Sequence, residues 1–319
     1  VNSGTSAIHL ALIASNVKKG DEVILPAQTF IASALPIIYI GAKPIFADID
    51  GSTGNISYKS IKKLVNKKTK AIIVVHWGGY PCDLDEIKKI TRGTRIKIIE
   101  DAAHCFGGKY KNKNIGSISD FTCFSFQATK HLTSGDGGLV CCKKKTDEKL
   151  LKKLRWFGFD RNLKKDRKGA RLDKVDILGY KYQLNNYSAA LGLSNLKEIK
   201  SLINHHIRIG NYYSKKLKDI PSIKILNFKK NKLHTYWFYQ LLVRDRSKFI
   251  KILREINFPY SIVDERIDNY PLFKKYKKNL PSLEKFEKHK ISLPVHYKIS
   301  KKHIDKLVLY IKKKNHLNV

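Results

Sequence analysis

The chain has 319 residues, of which 42% are hydrophobic and 28% charged, with a formal net charge of +36. That balance is globular rather than disordered, and the length suits one large domain and a smaller one. The most apolar run, Ala34 to Ala42, falls short of the roughly 18 residues that span a bilayer, so no membrane segment is expected. The first residues lack the basic-then-apolar order of a signal peptide. Basic residues are scattered along the chain in short clusters such as "KKKTDEKLLKK", and no zinc-finger, basic-zipper or RNA-recognition pattern accompanies them. The charge therefore reads as solvated surface, and no specific nucleic acid is expected as a partner.

In chain order, the first two-thirds alternates β-branched runs with amphipathic stretches. Strands are predicted at "EVILP" from Glu22, "KPIFADI" from Lys43, "KAIIVVH" from Lys70, "RIKIIED" from Arg95, "DFTCFSF" from Asp120 and "GGLVCC" from Gly137. Helices are predicted over Ser6 to Ser15, Ile31 to Ile40, Ser57 to Val65 and Asp83 to Thr91. This alternation predicts an α/β fold, a mostly parallel sheet flanked by helices, with ligands at the carboxyl ends of the strands. A single helical pattern then runs from about Asn186 to Leu217. Beyond it come a strand in "TYWFYQLLVRD", a helix in "SKFIKILREI" and a final helix in "SKKHIDKLVLYIKK". The division expected is a large domain over 1–200 and a smaller C-terminal α/β domain over 201–319. Five cysteines without a Cys-x-x-Cys pair (Cys82, Cys105, Cys123, Cys141 and Cys142) read as reduced thiols of a cytoplasmic protein, with no metal site.

Four segments place polar groups where strands end or helices begin. "NSGTSA", Asn2 to Ala7, offers free N–H groups at a helix start, which suits a phosphate or a plain N-cap by Thr5 or Ser6. "IIEDAAH", Ile98 to His104, ends a buried strand on Asp101, either the partner of a cationic ring nitrogen or a local cap. Phe30 in "PAQTFIAS" is a stacking platform or a core residue. In "FSFQATKHLTSGDGG", Ser125 ends a strand and Lys130 follows before a glycine turn. Taken alone, Lys130 is one more surface ammonium; carried into an enclosed site it would lose solvation, and its neutral amine could attack a carbonyl.

The ordered segments "SGTSA", "LPAQTF", "IIEDAAH", "CFSFQATKHLTSGDGG" and "LGYKYQLNNYSAALGLSNL" resemble the DegT/DnrJ/EryC1/StrS family of sugar aminotransferases. "VHWGGYPCDLDEI" and "ISLPVH" look like family segments too, so the likeness runs essentially end to end. It implies the pyridoxal-phosphate transferase fold of type I. By resemblance, Lys130 is the lysine that holds pyridoxal 5′-phosphate covalently and moves a proton between cofactor and substrate carbon. Asp101 keeps the pyridine nitrogen protonated, His104 lies near the ring oxygen, and Phe30 stacks on the ring. Thr5, Ser6 and Ser125 contact the phosphate. Lys181 stands where many relatives have an asparagine that reaches the neighbouring subunit's phosphate, and a lysine there keeps a point charge for it. His296 resembles a substrate-side position. The activity implied is amination of a nucleotide-linked keto sugar with glutamate as donor, in surface polysaccharide or glycan biosynthesis, by a homodimer with a shared active site. A family branch that dehydrates sugars has histidine in place of the lysine, and Lys130 argues against it. The residues that usually precede "SGT" in the family are missing, so an N-terminal portion is expected to be absent, which leaves an inactive or scaffold member as the alternative.

Overall fold

The computed structural model describes residues 1–160 and 175–316. The large unit begins with helix α1 (Gly4–Ala14), followed by β1 (Glu22–Pro26), α2 (Leu35–Tyr39), β2 (Lys43–Ala47), α3 (Tyr58–Leu64), β3 (Thr69–Val75), α4 (Leu84–Thr91) and β4 (Lys97–Asp101). Two short strands come next, β5 (Lys109–Tyr110) and β6 (Lys113–Asn114), then β7 (Phe121–Ser125), β8 (Gly138–Cys142) and α5 (Lys145–Leu154). Helices α6 (Asn186–Leu196) and α7 (Ile199–Leu217) lead to a second unit containing β9 (Ile223–Ile225), β11 (Tyr239–Val243), α8 (Arg246–Glu255), α9 (Pro281–His289), β12 (Lys290–Leu293) and α10 (Lys301–His316), while β10 (Lys232–Leu233) pairs back with β5 of the large unit.

The main sheet has the order β2-β1-β3-β4-β7-β8. Its pairs are parallel except the last, where β8 runs antiparallel to β7 with Ser125 opposite Gly138. All six predicted strands are present in it. Burial of β3 and β4 on both faces explains their unbroken Ile/Val runs, as expected for a parallel sheet covered by helices. Helix α1 is buried along most of its length, from Ser6 through Leu12, and Ser3 caps it by accepting from the Ser6 N–H. In α4, Asp85 and Glu86 occupy the first turn and Lys88 and Lys89 the last, matching the helix dipole at both ends.

The second unit is built on the antiparallel sheet β12-β11-β9. Ile209, Tyr213, Leu241, Phe249, Leu253 and Leu307 fill its core. The chain also returns to the large unit, since Ile267, Phe273, Leu283 and Phe286 pack into the core beneath α1 and β1.

Two predicted helices are divided. Ile31 to Ile40 becomes a 3-10 turn (Ile31–Ser33) followed by α2, because Pro36 has no N–H to donate and suits only a first turn. The pattern from Asn186 to Leu217 breaks at Glu198, whose ψ is −3°. The break lets α7 turn Ile203, Ile209, Tyr213 and Leu217 inward, whereas α6 buries none of its residues. Tyr187 on α6 is 90% exposed, and Leu191, Leu193 and Leu196 are exposed beside it.

Candidate active site

The carboxyl ends of the parallel strands open into a cavity of about 430 Å³. Of the predicted residues, Thr5, Phe30, Asp101, His104, Ser125 and Lys130 line it. Ser6 does not: its hydroxyl donates to Asn2 Oδ1 at 2.7 Å and its N–H to Ser3 Oγ. Lys181 is exposed on a segment that bridges to Trp156, away from this cavity. His296 is exposed and lines an adjoining cleft that shares Lys130 and Trp237 with the cavity.

Lys130 is delivered by the loop between the antiparallel strands β7 and β8. The loop closes on itself: Phe126 N–H donates to the Gly137 carbonyl at 2.8 Å, and Ser134 N–H to the Phe126 carbonyl at 2.9 Å. Gly135 N–H donates to Thr133 Oγ1 and Gly137 N–H to Asp136 Oδ1. The amine is thus held on a rigid support. Its Nζ sits 3.7 Å from the centre of the Trp237 ring, and among the described residues no carboxylate pairs with it directly. Burial lowers its pKa from 10.5 to about 8, against the opposing pull of Asp101 and Asp264.

Asp101, at the end of β4, is buried. Its Oδ2 accepts from Ser33 Oγ at 2.6 Å, and Oδ1 accepts from the Ala103 N–H at 3.1 Å. Thr29 Oγ1 lies 2.6 Å from Ser33 Oγ. Because Ser33 spends its proton on the carboxylate, Thr29 donates to Ser33, and the two hydroxyls form a relay that fixes the acid. His104 is buried and stacks on Trp237 at 3.8 Å between ring centres, with its Nδ1 unpartnered. Burial, reinforced by Lys130 and His131, holds its imidazole well below the usual histidine range, so it is neutral.

Helix α1 supplies the third side of the cavity. The N–H groups of Gly4 and Thr5, in its first turn, have no carbonyl partner within the helix. A Cβ on Gly4 would lie 2.9 Å from Ser125 Cβ, so glycine is what lets the helix start close against the end of β7. That sets free helix N–H groups beside the Ser125 hydroxyl, an arrangement that suits an anion. Phe30, 57% exposed, stands at the rim.

Two residues that line the cavity, Trp237 and Asp264, and one behind it, Ser33, were not predicted from the sequence. Trp237 falls inside the predicted strand "TYWFYQLLVRD" but just before β11 begins at Tyr239, and its indole N–H donates to the Thr129 carbonyl at 2.8 Å. Ser33, four residues after Thr29 in "TFIAS", acts through Asp101. Asp264 enters from the second unit. Of these, Ser33 is closest in sequence to a predicted residue, three positions after Phe30, with Thr29 in the bend that precedes the 3-10 turn.

A parallel sheet that brings a partly desolvated lysine amine and a fixed carboxylate into one cavity matches the type I fold of pyridoxal-phosphate-dependent aminotransferases implied by the resemblance. The model of the DegT/DnrJ/EryC1/StrS aminotransferase family matches residues 1–312, and the chain belongs to that family. The GDP-perosamine synthase of Escherichia coli O157:H7 is 35% identical over 276 residues, covering 86% of this chain and 71% of that protein. The spore coat polysaccharide biosynthesis protein SpsC of Bacillus subtilis is 34% identical over 293 residues, covering 86% and 73%. Among solved structures, the sugar aminotransferase CalS13 from Micromonospora echinospora superposes with a TM-score of 0.93 at 30% identity, covering 98% of this chain and 86% of that one.

Proposed function

We propose that this aminotransferase transfers an amino group from glutamate to the carbonyl of a nucleotide-linked keto sugar, with pyridoxal 5′-phosphate as cofactor, in the biosynthesis of a surface polysaccharide or other glycan. The observation that carries this reading is the single cavity shared by the Lys130 amine and the Asp101 carboxylate. The relatedness to a GDP-perosamine synthase supports a nucleotide-linked sugar as substrate.

The residues present fit the cofactor. The unpaired first-turn N–H groups of Gly4 and Thr5, with the Ser125 hydroxyl, suit its phosphate. Asp101 would hold the protonated pyridine nitrogen, its position set by the Ser33 hydroxyl. Phe30 would face the ring, and the unpartnered Nδ1 of His104 offers a polar contact at its edge. When bound, the cofactor supplies an electron sink for the carbon that loses its proton. Lys130 accepts that proton at Nζ and returns it, a task suited to an amine whose pKa of about 8 lies near the working pH. The Trp237 ring gives the protonated amine a place to rest within the water-poor cavity.

A homodimer with a shared active site belongs to the same reading. The uncovered apolar face of α6 suits a second copy, and Lys181 would then serve the neighbour's phosphate. A cytoplasmic location accords with five free thiols; among the described residues no helix is long and apolar enough to cross a membrane.

The test adds pyridoxal 5′-phosphate to the protein and reads its visible absorbance, in wild type and in Lys130→Ala. The pyridoxamine form is then offered nucleotide-linked 3-keto and 4-keto sugars. A shifted band that is lost in the variant, and consumption of the amine by at least one sugar, is the expected result. An unchanged band in Lys130→Ala, or no sugar turned over, overturns the proposal.

A further inference from the structure

Asp264 reaches the cavity on the segment that links the two units. Its backbone has a φ of +43°, a left-handed conformation that aspartate adopts at a cost. The surroundings hold it there. On one side Ser261 exchanges both backbone hydrogen bonds with Ser292 of β12, at 3.0 and 2.9 Å. On the other, Ile267 N–H donates to the Ala27 carbonyl at 3.0 Å, and Arg266 grips Asp268 through Nε and Nη2 at 2.6 and 2.7 Å. The Asp264 carbonyl itself accepts from the buried Lys290 ammonium. All of this fixes the backbone and leaves the side chain unused: among the described residues none donates a hydrogen bond to the Asp264 carboxylate, and it lines the same cavity as Lys130.

An ionised carboxylate only accepts hydrogen bonds, and so asks for a ligand that donates. Glutamate brings two carboxylates and has one cationic group, the amine that reacts. A sugar brings several hydroxyl donors around its carbonyl. Burial raises the Asp264 pKa, while Lys290 and Lys130 oppose that rise. The acid is therefore short of solvent and in need of a donor.

We infer that Asp264 is a specificity-determining residue, whose carboxylate accepts a hydrogen bond from a hydroxyl of the keto sugar while Lys130 works at its carbonyl. The inference rests on the proposed sugar substrate and deepens it.

The experiment measures both half-reactions in the cofactor-loaded protein, wild type and Asp264→Ala, with glutamate and with the best nucleotide-linked keto sugar. Analogues of that sugar lacking one hydroxyl at a time complete the set. Asp264→Ala is expected to lower kcat/KM for the sugar half-reaction about 10- to 100-fold more than for the glutamate half-reaction, the range of one charged hydrogen bond. One deoxy analogue should lose a similar factor with wild type and little further with the variant. Equal losses in the two half-reactions, or no deoxy analogue that removes the difference, overturn the inference. Failure of wild type on every sugar instead refutes the substrate reading, so the two failures are distinct. Circular dichroism and the cofactor band of the variant report whether it folds and loads; if Asp264→Ala does not, Asp264→Asn carries the same comparison.

Discussion

Replacing Lys130 with methionine keeps much of the side chain's length and removes its charge. Moving the amine from its solvated pKa of 10.5 to about 8 means the folded protein holds the ammonium at a cost of about 3 kcal/mol relative to the unfolded chain. That cost is present in full below pH 8 and vanishes as pH rises to 10.5, because over this window the unfolded chain binds the proton and the folded one has released it. Attraction to the Trp237 ring offsets about 1–2 kcal/mol of it. At pH 7 the cofactor-free Lys130→Met protein should therefore be more stable than wild type by about 1–3 kcal/mol. With an unfolding entropy of about 2 cal/mol/K per residue, that corresponds to a Tm roughly 2–4 °C higher. Differential scanning fluorimetry of the two cofactor-free proteins from pH 7 to 10.5 reads the gap directly. A variant that melts at or below wild type at pH 7, or a gap that does not narrow with rising pH, would refute the desolvated amine.

Ser33→Ala removes the donor that fixes Asp101 and leaves Thr29 without its acceptor; affinity for pyridoxal 5′-phosphate, titrated by absorbance, should fall about 10-fold for one charge-assisted hydrogen bond. Gly4→Ala sets a methyl against Ser125 and should push α1 away from β7, weakening binding of the phosphorylated aldehyde more than that of pyridoxal itself in a fluorescence titration. Three buried histidines predict acid lability. Burial lowers His131 and His234 to about 3 and His206 to about 4, so the unfolded chain binds protons that the folded one refuses as pH falls below 6.5. Each of them removes up to about 3–5 kcal/mol of stability on the way to its folded pKa. The urea midpoint should drop steeply between pH 6.5 and 4, and less steeply in His131→Phe.

The six strands of the main sheet were legible because each is a short apolar run bounded by turn residues, and in β3 and β4 burial on both faces removes the need for alternation. Asp101 could be placed at a strand end, and Lys130 five residues beyond another, for the same reason. Helix α5 escaped notice because "KKKTDEKLLKK" looks like a lysine cluster; Leu151 and Leu154 are its buried stripe. The split between α6 and α7 has no glycine or proline to announce it, since Lys197 and Glu198 are ordinary helix formers and only packing turns the chain there. Trp237 and Asp264 belong to the cavity through tertiary placement, more than a hundred residues from Lys130 in sequence. No local pattern encodes that distance.

The stretch from His234 to Trp237 is stitched to the large unit before it becomes the central strand of the small one. His234 and Trp237 donate to the Gly78 carbonyl, Thr235 N–H to that of Gly79, and His131 Nε2 to that of Thr235. The indole that cushions the amine is therefore borrowed from the module on the far side of the seam. A truncated protein ending near residue 200 would retain the five ordered segments that carry the resemblance, yet would present Lys130 to open solvent. Its amine would titrate as an ordinary lysine, and the aldehyde would find no dry seat.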